Sequence, residues 1–335
     1  MNRFKSSFVF FPRNLKKEEI WQCGTPGKSL FKLRKLSIKT IPFLIVSPFT
    51  FLYCLEKNEL KAWLDSILWK KGSSRFQNNP ADAAEKIQDL LRSIILPDEV
   101  VALLHMEYRG IFKATTHKTP PVLLTPSIPG SINIKMQELE SLNFLKCLAT
   151  SEDEFMEKLK ITWAEFFTSQ FIRAIRTAFY NIDEIPVSVL VRKFGSYEIS
   201  GRVVFETKPE SKLTIYSFLG QDFQRLQKVG EVEHKGDKVG LKGDECDRYE
   251  FFPATGIWKK KICPKISRAI VDYKQREVKS CTLKNPGQIV ETLTEQTLDE
   301  IKQICQQILQ IQKDGFNFYF SQHLQYLFLW EFVGN

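Results

Sequence analysis

The chain has 335 residues, and 48 Lys plus Arg against 39 Asp plus Glu give it a formal charge of +9. At 43% hydrophobic and 26% charged residues, its composition is that of a globular protein and excludes a disordered chain, a collagen, a small disulfide scaffold and a membrane channel. The length predicts two domains, or one large α/β domain with two lobes.

Taken in chain order, Phe8 to Phe11 reads as a short strand. From Gly27 onward, Leu30, Leu33 and Leu36 recur at helical spacing between Lys and Arg, which is the pattern of an amphipathic helix. Ile41 to Val46 reads as a buried strand that opens on Pro42. Ser47-Pro48 then caps a helix carrying Phe51, Leu55, Leu60, Trp63 and Ile67. Asn78-Asn79-Pro80 is a breaker before a helix over Ala81 to Ile94, with Ala84, Ile87, Leu90 and Leu91 as its apolar stripe. Leu96-Pro97-Asp98-Glu99 starts the next helix, with its acids in the first turn where the helix dipole favours them. Thr115 to Pro121 reads as a loop and Val122 to Leu124 as a strand. Glu152 to Tyr180 is the longest helical block, burying Phe155, Leu159, Trp163, Phe166 and Phe167.

From Pro186 the pattern changes to strands: Val187 to Phe194, Gly201 to Thr207 and Lys212 to Phe218. Val229 to Phe252 suggests hairpins. Thr294 caps a helix reaching Gln312, with Leu298, Ile301, Ile304, Cys305 and Ile308 on one face, and strands at Phe316 to Ser321 and Tyr326 to Phe332 close the chain.

Several functional patterns are weak. The seven Cys are an odd number without a CxxC pair, so they read as small buried hydrophobes, not a disulfide framework or zinc site. His105, His117, His234 and His323 share no metal-ligand spacing. Asp244, Glu245 and Asp247 are close enough to hold a cation but read as solvated groups of a polar loop. Gly24 and Gly27 before Lys28-Ser29 leave two residues between the glycines where a Walker A loop has four. Trp163 with Phe166 and Phe167 reads as core. Lys259-Lys260-Lys261 reads as a solvated hairpin edge, and the basic residues are spread from Arg3 to Lys313 without the continuous stripe that would favour nucleic acid. The N-terminal apolar run is too short for a signal peptide, and Ile41 to Leu55 is too short and too Pro-interrupted to span a bilayer. The expectation is a cytoplasmic protein with no membrane partner.

The order of signals carries more than any one of them. Gly27-Lys28 with Leu33 is followed by the Ile41-Pro42 strand, Leu96-Pro97-Asp98-Glu99-Val100 with Tyr108, and Thr162-Trp163-Ala164-Glu165-Phe166-Phe167 with Arg173. Val189-Leu190-Val191, Ser200-Gly201-Arg202-Val203-Val204-Phe205, and the final helix and strands complete the series. This resembles the nucleotide-binding domain of phosphoenolpyruvate synthase and pyruvate phosphate dikinase, the PEP/pyruvate-binding family, over nearly the whole chain.

The resemblance implies an α/β (α+β) fold of ATP-grasp type. A helix-rich lobe over residues 1–185 and a strand-rich lobe over 186–335 would close on ATP in a cleft. It implies that Lys28 contacts ATP phosphates and that Arg192 stands where the family has a Gln near the adenine. It also implies losses. Thr125 takes the place of the phosphate-binding Arg, Tyr319 that of the metal-binding Glu, and Trp330 and Phe332 those of the final Gln and Arg. ATP binding is then expected to be weak, Mg2+ to need an intact site, and the domain to be a pseudoenzyme or scaffold. The alternative is the ATP-binding component of a phosphotransferase, a kinase with paired acceptors, that passes phosphate to a separately encoded His/PEP-binding domain protein. Thr115-Thr116-His117 lacks the glycines of the family's own phosphoryl-accepting motif.

Overall fold

The computed structural model describes residues 8–11, 15–69, 79–112, 121–127, 147–178, 185, 187–194, 199–206, 211–219, 246–265, 267–272, 277–284, 288–289, 291–311 and 316–321. His117, His234, His323, Asp244, Glu245, Trp330 and Phe332, and the Tyr326 to Phe332 strand, lie outside them. The protein is a mixed α/β chain with antiparallel sheets, divided into a unit of Met1–Lys28 with Pro42–Gly195 and a unit of Ser29–Ile41 with Ser196–Asn335.

In the first unit, β1 (Val9–Phe10), β2 (Phe43–Val46), β3 (Val122–Ser127), β4 (Leu148–Ala149) and β5 (Ser188–Lys193) form one sheet in the order β1-β2-β5-β3-β4, with every neighbouring pair antiparallel. One face, with Leu44, Val46, Val122, Leu124, Val189 and Val191, joins the core built by the helices. The opposite face carries Phe43, Ile45, Leu123, Ser127, Ser188 and Arg192, as strand alternation requires.

A 3-10 segment, Lys17–Cys23, leads into helix α1 (Gly24–Lys35), which continues beyond Lys28 as part of the second unit. The helix expected from Ser47 through Ile67 is two helices, α2 (Pro48–Lys57) and α3 (Lys61–Trp69). Ser47 caps α2 by accepting from Thr50 N at 3.4 Å. The break follows from Asn58, whose side-chain amide donates to Cys54 O and Ile95 O at 2.8 Å each, and from Glu59, which takes φ +57°.

Helices α4 (Pro80–Ser93) and α5 (Asp98–Phe112) form as expected, α4 capped by Asn79 with Pro80 in its first turn. The block from Glu152 to Tyr180 is also two helices, α6 (Glu152–Phe166) and α7 (Ser169–Ala178). Ser151 caps α6, and Thr168 Oγ1 accepts from Phe171 N at 3.0 Å to start α7 afresh. Helix α4 packs on α6 and α7. Trp163, Phe166 and Phe167 are wholly buried, so the aromatic cluster is core.

In the second unit, β6 (Ile199–Glu206), β7 (Lys212–Leu219), β8 (Asp247–Phe252), β9 (Ile257–Lys261) and β14 (Phe316–Ser321) form a sheet in the order β14-β6-β7-β8-β9. Helix α8 (Glu295–Ile311), capped by Thr294, sends Leu298, Ile301, Cys305 and Ile308 into a core with Val203, Phe205, Leu213, Ile215, Tyr249 and Phe251 of the sheet and with Leu33 and Ile38. Two short ribbons complete the unit: β10 (Pro264–Lys265) with β13 (Gln288–Ile289), and β11 (Ser267–Asp272) with β12 (Glu277–Thr282). Among the described residues, no helix is long and apolar enough to cross a membrane.

Candidate functional site

The start of α1 is held to the first unit's sheet by two serines that face each other across β3 and β5, Ser127 and Ser188. Ser127 Oγ donates to Cys23 O at 2.6 Å and accepts from Gly27 N at 3.3 Å, and Ser188 Oγ donates to Gln22 O. These bonds satisfy backbone groups at the junction between the 3-10 segment and the helix that would otherwise be buried without partners. The glycines are steric requirements. Gly24 adopts φ +67°, and a Cβ there would lie 2.2 Å from Ser127 O; a Cβ on Gly27 would lie 2.3 Å from Ile45 Cδ1.

Lys28 follows Gly27 directly and is exposed at the start of the second turn of α1. Arg192 is buried, at 7% exposure, on the central strand β5 between Phe43 of β2 and Leu123 of β3. Ile45, which touches Gly27, pairs with Leu190, and Phe43, two residues earlier, pairs with Arg192. The helix start that carries Lys28 therefore rests on the sheet face from which Arg192 projects. Arg192 stands four positions along β5 from Ser188, about 13 Å along the strand.

The other positions drawn from the resemblance fall as follows. Thr125 is half-buried on β3, and its hydroxyl donates to Leu190 O at 3.4 Å. Tyr319 is on β14, opposite Arg202 of β6 in the second unit. Among the described residues, no three His, Cys, Asp or Glu side chains gather in a way that could hold a metal.

Asp247 corrects the sequence reading. It is no solvated loop residue but fully buried at the start of β8. Its Oδ1 accepts from Cys263 N at 3.0 Å and from Lys265 Nζ; its Oδ2 accepts from Thr292 N at 2.9 Å, Thr292 Oγ1 at 2.8 Å and Tyr249 OH at 3.3 Å. Lys265, 1% exposed, also donates to Cys263 O at 2.7 Å. A carboxylate offers about four lone-pair positions, and the donors around Asp247 occupy all of them. The group is a staple joining β8, the 263–265 segment and the approach to α8, with no capacity left for a cation. The alternation of Asp247, Tyr249 and Phe251 with Arg248 and Glu250 was the signal that could have placed it inward. Next to it, burial first and then the Asp247 charge push the Cys246 thiol up to about 12, which keeps it protonated and unreactive.

No protein-family model matches the chain, and no curated protein matches it. Among solved structures, the chain is similar to D-alanyl-alanine synthetase A from Vibrio cholerae O1 biovar eltor str. N16961, at 10% identity and a TM-score of 0.31. The match covers 92% of this chain and 54% of that one, so the chain spans about half the length of that protein. A likeness of that strength does not establish a shared fold.

Proposed function

We propose that the chain is a divergent nucleotide-binding domain of the phosphoenolpyruvate synthase and pyruvate phosphate dikinase type, ATP-grasp-like in organisation, that binds ATP and has lost phosphoryl transfer. The observation that carries this reading is that the helix start bearing exposed Lys28 is clamped to β3 and β5, on the sheet face from which the buried Arg192 of β5 projects. In this reading Lys28 offsets phosphate charge, and the planar guanidinium of Arg192 lies near the base, where stacking on a ring suits it.

The same reading makes the chemistry degenerate. Phosphoryl transfer depends on cations and magnesium gathered around developing charge. Here Thr125 stands at the arginine position with its hydroxyl engaged by Leu190 O, and Tyr319 stands at the position of the metal carboxylate. The residues present fit a phosphate group better than they fit a magnesium ion.

Isothermal titration with ATP, with and without magnesium, tests this on the wild type, Lys28→Ala and Arg192→Gln. The expected result is weak binding that Lys28→Ala lowers about tenfold, equivalent to about 1.4 kcal/mol. No binding at millimolar ATP overturns the reading. Transfer of the γ-phosphate to a separately encoded His-domain protein would replace the pseudoenzyme with a working phosphotransferase component.

A further inference from the structure

Helix α6 carries a lysine on the side it turns to the core. Phe155, Leu159, Thr162, Trp163 and Phe166 are buried at helical spacing, and Lys158 falls among them at 8% exposure. An apolar residue is what that position asks for, and lysine is seldom buried so far without a partner. Among the described residues, the Lys158 amine makes no hydrogen bond and no ion pair. The carboxylate beside it in sequence, Glu157, is 65% exposed and pairs with Lys160 Nζ at 2.7 Å.

Burial disfavours the ammonium form. It lowers the Lys158 amine below the ordinary lysine range, against the smaller opposing effects of Cys147 and then Glu157. A lysine so placed holds more of the free amine at neutral pH than a solvated one, and the free amine is the nucleophile.

The group whose charge acts most on Lys158 is therefore a thiol, ahead of the neighbouring carboxylate. Cys147 is 7% exposed and directly precedes β4, one of the strands on which α6 packs. Phe155 and Leu159 of α6 share a core with Val122 and Leu124, on the sheet face opposite Arg192. The amine and thiol thus stand apart from the Lys28 and Arg192 positions and do not depend on the nucleotide reading.

We propose that Cys147 and Lys158 form a lysine-acylation site, with a small acyl thioester as donor, Cys147 as relay and Lys158 as final acceptor. The Cys147 sulfur attacks the donor's carbonyl carbon, the donor's C–S bond breaks, and the proton given up by Cys147 ends on the released thiol. The Lys158 amine then attacks the new thioester carbonyl. Its N–C bond forms as the bond to Cys147 breaks, and the ammonium proton passes to the departing sulfur. The products are an amide on Lys158, the donor's free thiol and a regenerated Cys147. The second step is intramolecular, where holding two reactants together gains most. The amide carries no charge, so the cost of burying an unpaired ammonium is removed.

The test is incubation of the full chain with the small thioester N,S-diacetylcysteamine at neutral pH, with acetylation rates resolved by residue through peptide mass spectrometry. In the wild type, Lys158 should be acetylated about tenfold faster than Lys160 or exposed Lys39. Cys147→Ala should slow Lys158 about tenfold and leave Lys39 unchanged. Lys158→Met, which suits the apolar stripe, should hold the acetyl group on Cys147 as a thioester that hydroxylamine removes. Acetylation of Lys158 no faster than that of Lys39 overturns the proposal, and that comparison needs no variant. Unchanged labelling of Lys158 in Cys147→Ala overturns it as well, because the amine would then act without the thiol.

Discussion

Asp247 and Lys265 show what a buried ion pair does when its hydrogen bonds are complete. Removing one partner leaves the other charge buried and uncompensated, which costs on the order of 3–5 kcal/mol, whereas replacing both by apolar groups is often neutral. Asp247→Ala is therefore expected to lower the urea-unfolding free energy by about that amount, and Asp247→Leu with Lys265→Met to recover only part of it, because the buried Cys263 and Thr292 amides still lose their acceptor. If the double variant is as unstable as the single one, the stapling hydrogen bonds to Thr292 and Cys263 matter more than the charges. At the surface the energetics differ. Arg109 grips Glu152 with Nε to Oε1 at 2.8 Å and Nη2 to Oε2 at 2.7 Å, and that bond holds the Glu152 carboxyl below its ordinary range. A depressed carboxylate contributes stability above its unfolded value and loses it as pH falls through the folded one. The pair is solvent-screened, so its contribution to stability is small. A carbon-detected titration of Glu152 should show the lowered value, and Arg109→Ala should return it to the normal range.

At the scale of elements, hydrophobic periodicity located the helices and missed where they stop. Apolar residues continue through Leu60, Trp63 and Ile67 and through Phe166, Phe167, Phe171 and Ile172, so the pattern does not register a break. The breaks are made by local hydrogen bonds, from the Asn58 amide to Cys54 O and Ile95 O and from Phe171 N to Thr168 Oγ1. Polar residues in short connections make such bonds without disturbing the apolar stripe.

The glycines at the head of α1 were visible in the sequence, but the reason for them was not. No P-loop forms. The glycines let the helix start lie against Ser127 and Ile45. Gly24→Ala combines a positive φ with a clash against Ser127's backbone, and Gly27→Ala meets a buried side chain. Each is expected to destabilise by about 2 kcal/mol or more. Gly110 sits in α5, where an added methyl group would meet nothing within 4 Å, so Gly110→Ala should stabilise by about 0.5–1 kcal/mol. Chemical denaturation of the three variants side by side checks the sign at each position. A stable Gly24→Ala would mean that the clamp on the helix start yields easily.

For the whole molecule, the basic balance that the composition announces resolves into location. The excess is not one stripe, yet in the second unit cross-strand register aligns Arg202, Arg248 and Lys261 in a row that no linear motif contains. Residues 46 and 59 positions apart in sequence cannot be seen as neighbours until β6, β8 and β9 are paired. The first-unit positions were legible only through the order of motifs, and strand alternation then showed that Arg192 shares a face with the support of Lys28.

Chain order misleads in the same way about the cores. Leu33 and Ile38 lie among residues of the helix-rich N-terminal half, yet they are buried with Val203, Ile215, Tyr249 and Ile301. A truncation at Leu33 should therefore act on strands about 170–220 residues away in sequence, since the cavity opens in the core those strands line. Leu33→Ala is expected to cost about 2–5 kcal/mol, as Ile301→Ala does in the same core. Hydrogen exchange makes the location readable. In both variants the amides of β7 and β8 should lose protection first, while those of β5, in the core with Val189 and Val191, keep theirs. Loss of protection centred on β5 in Leu33→Ala would place that leucine's energetic weight in the first unit and refute the division of the cores.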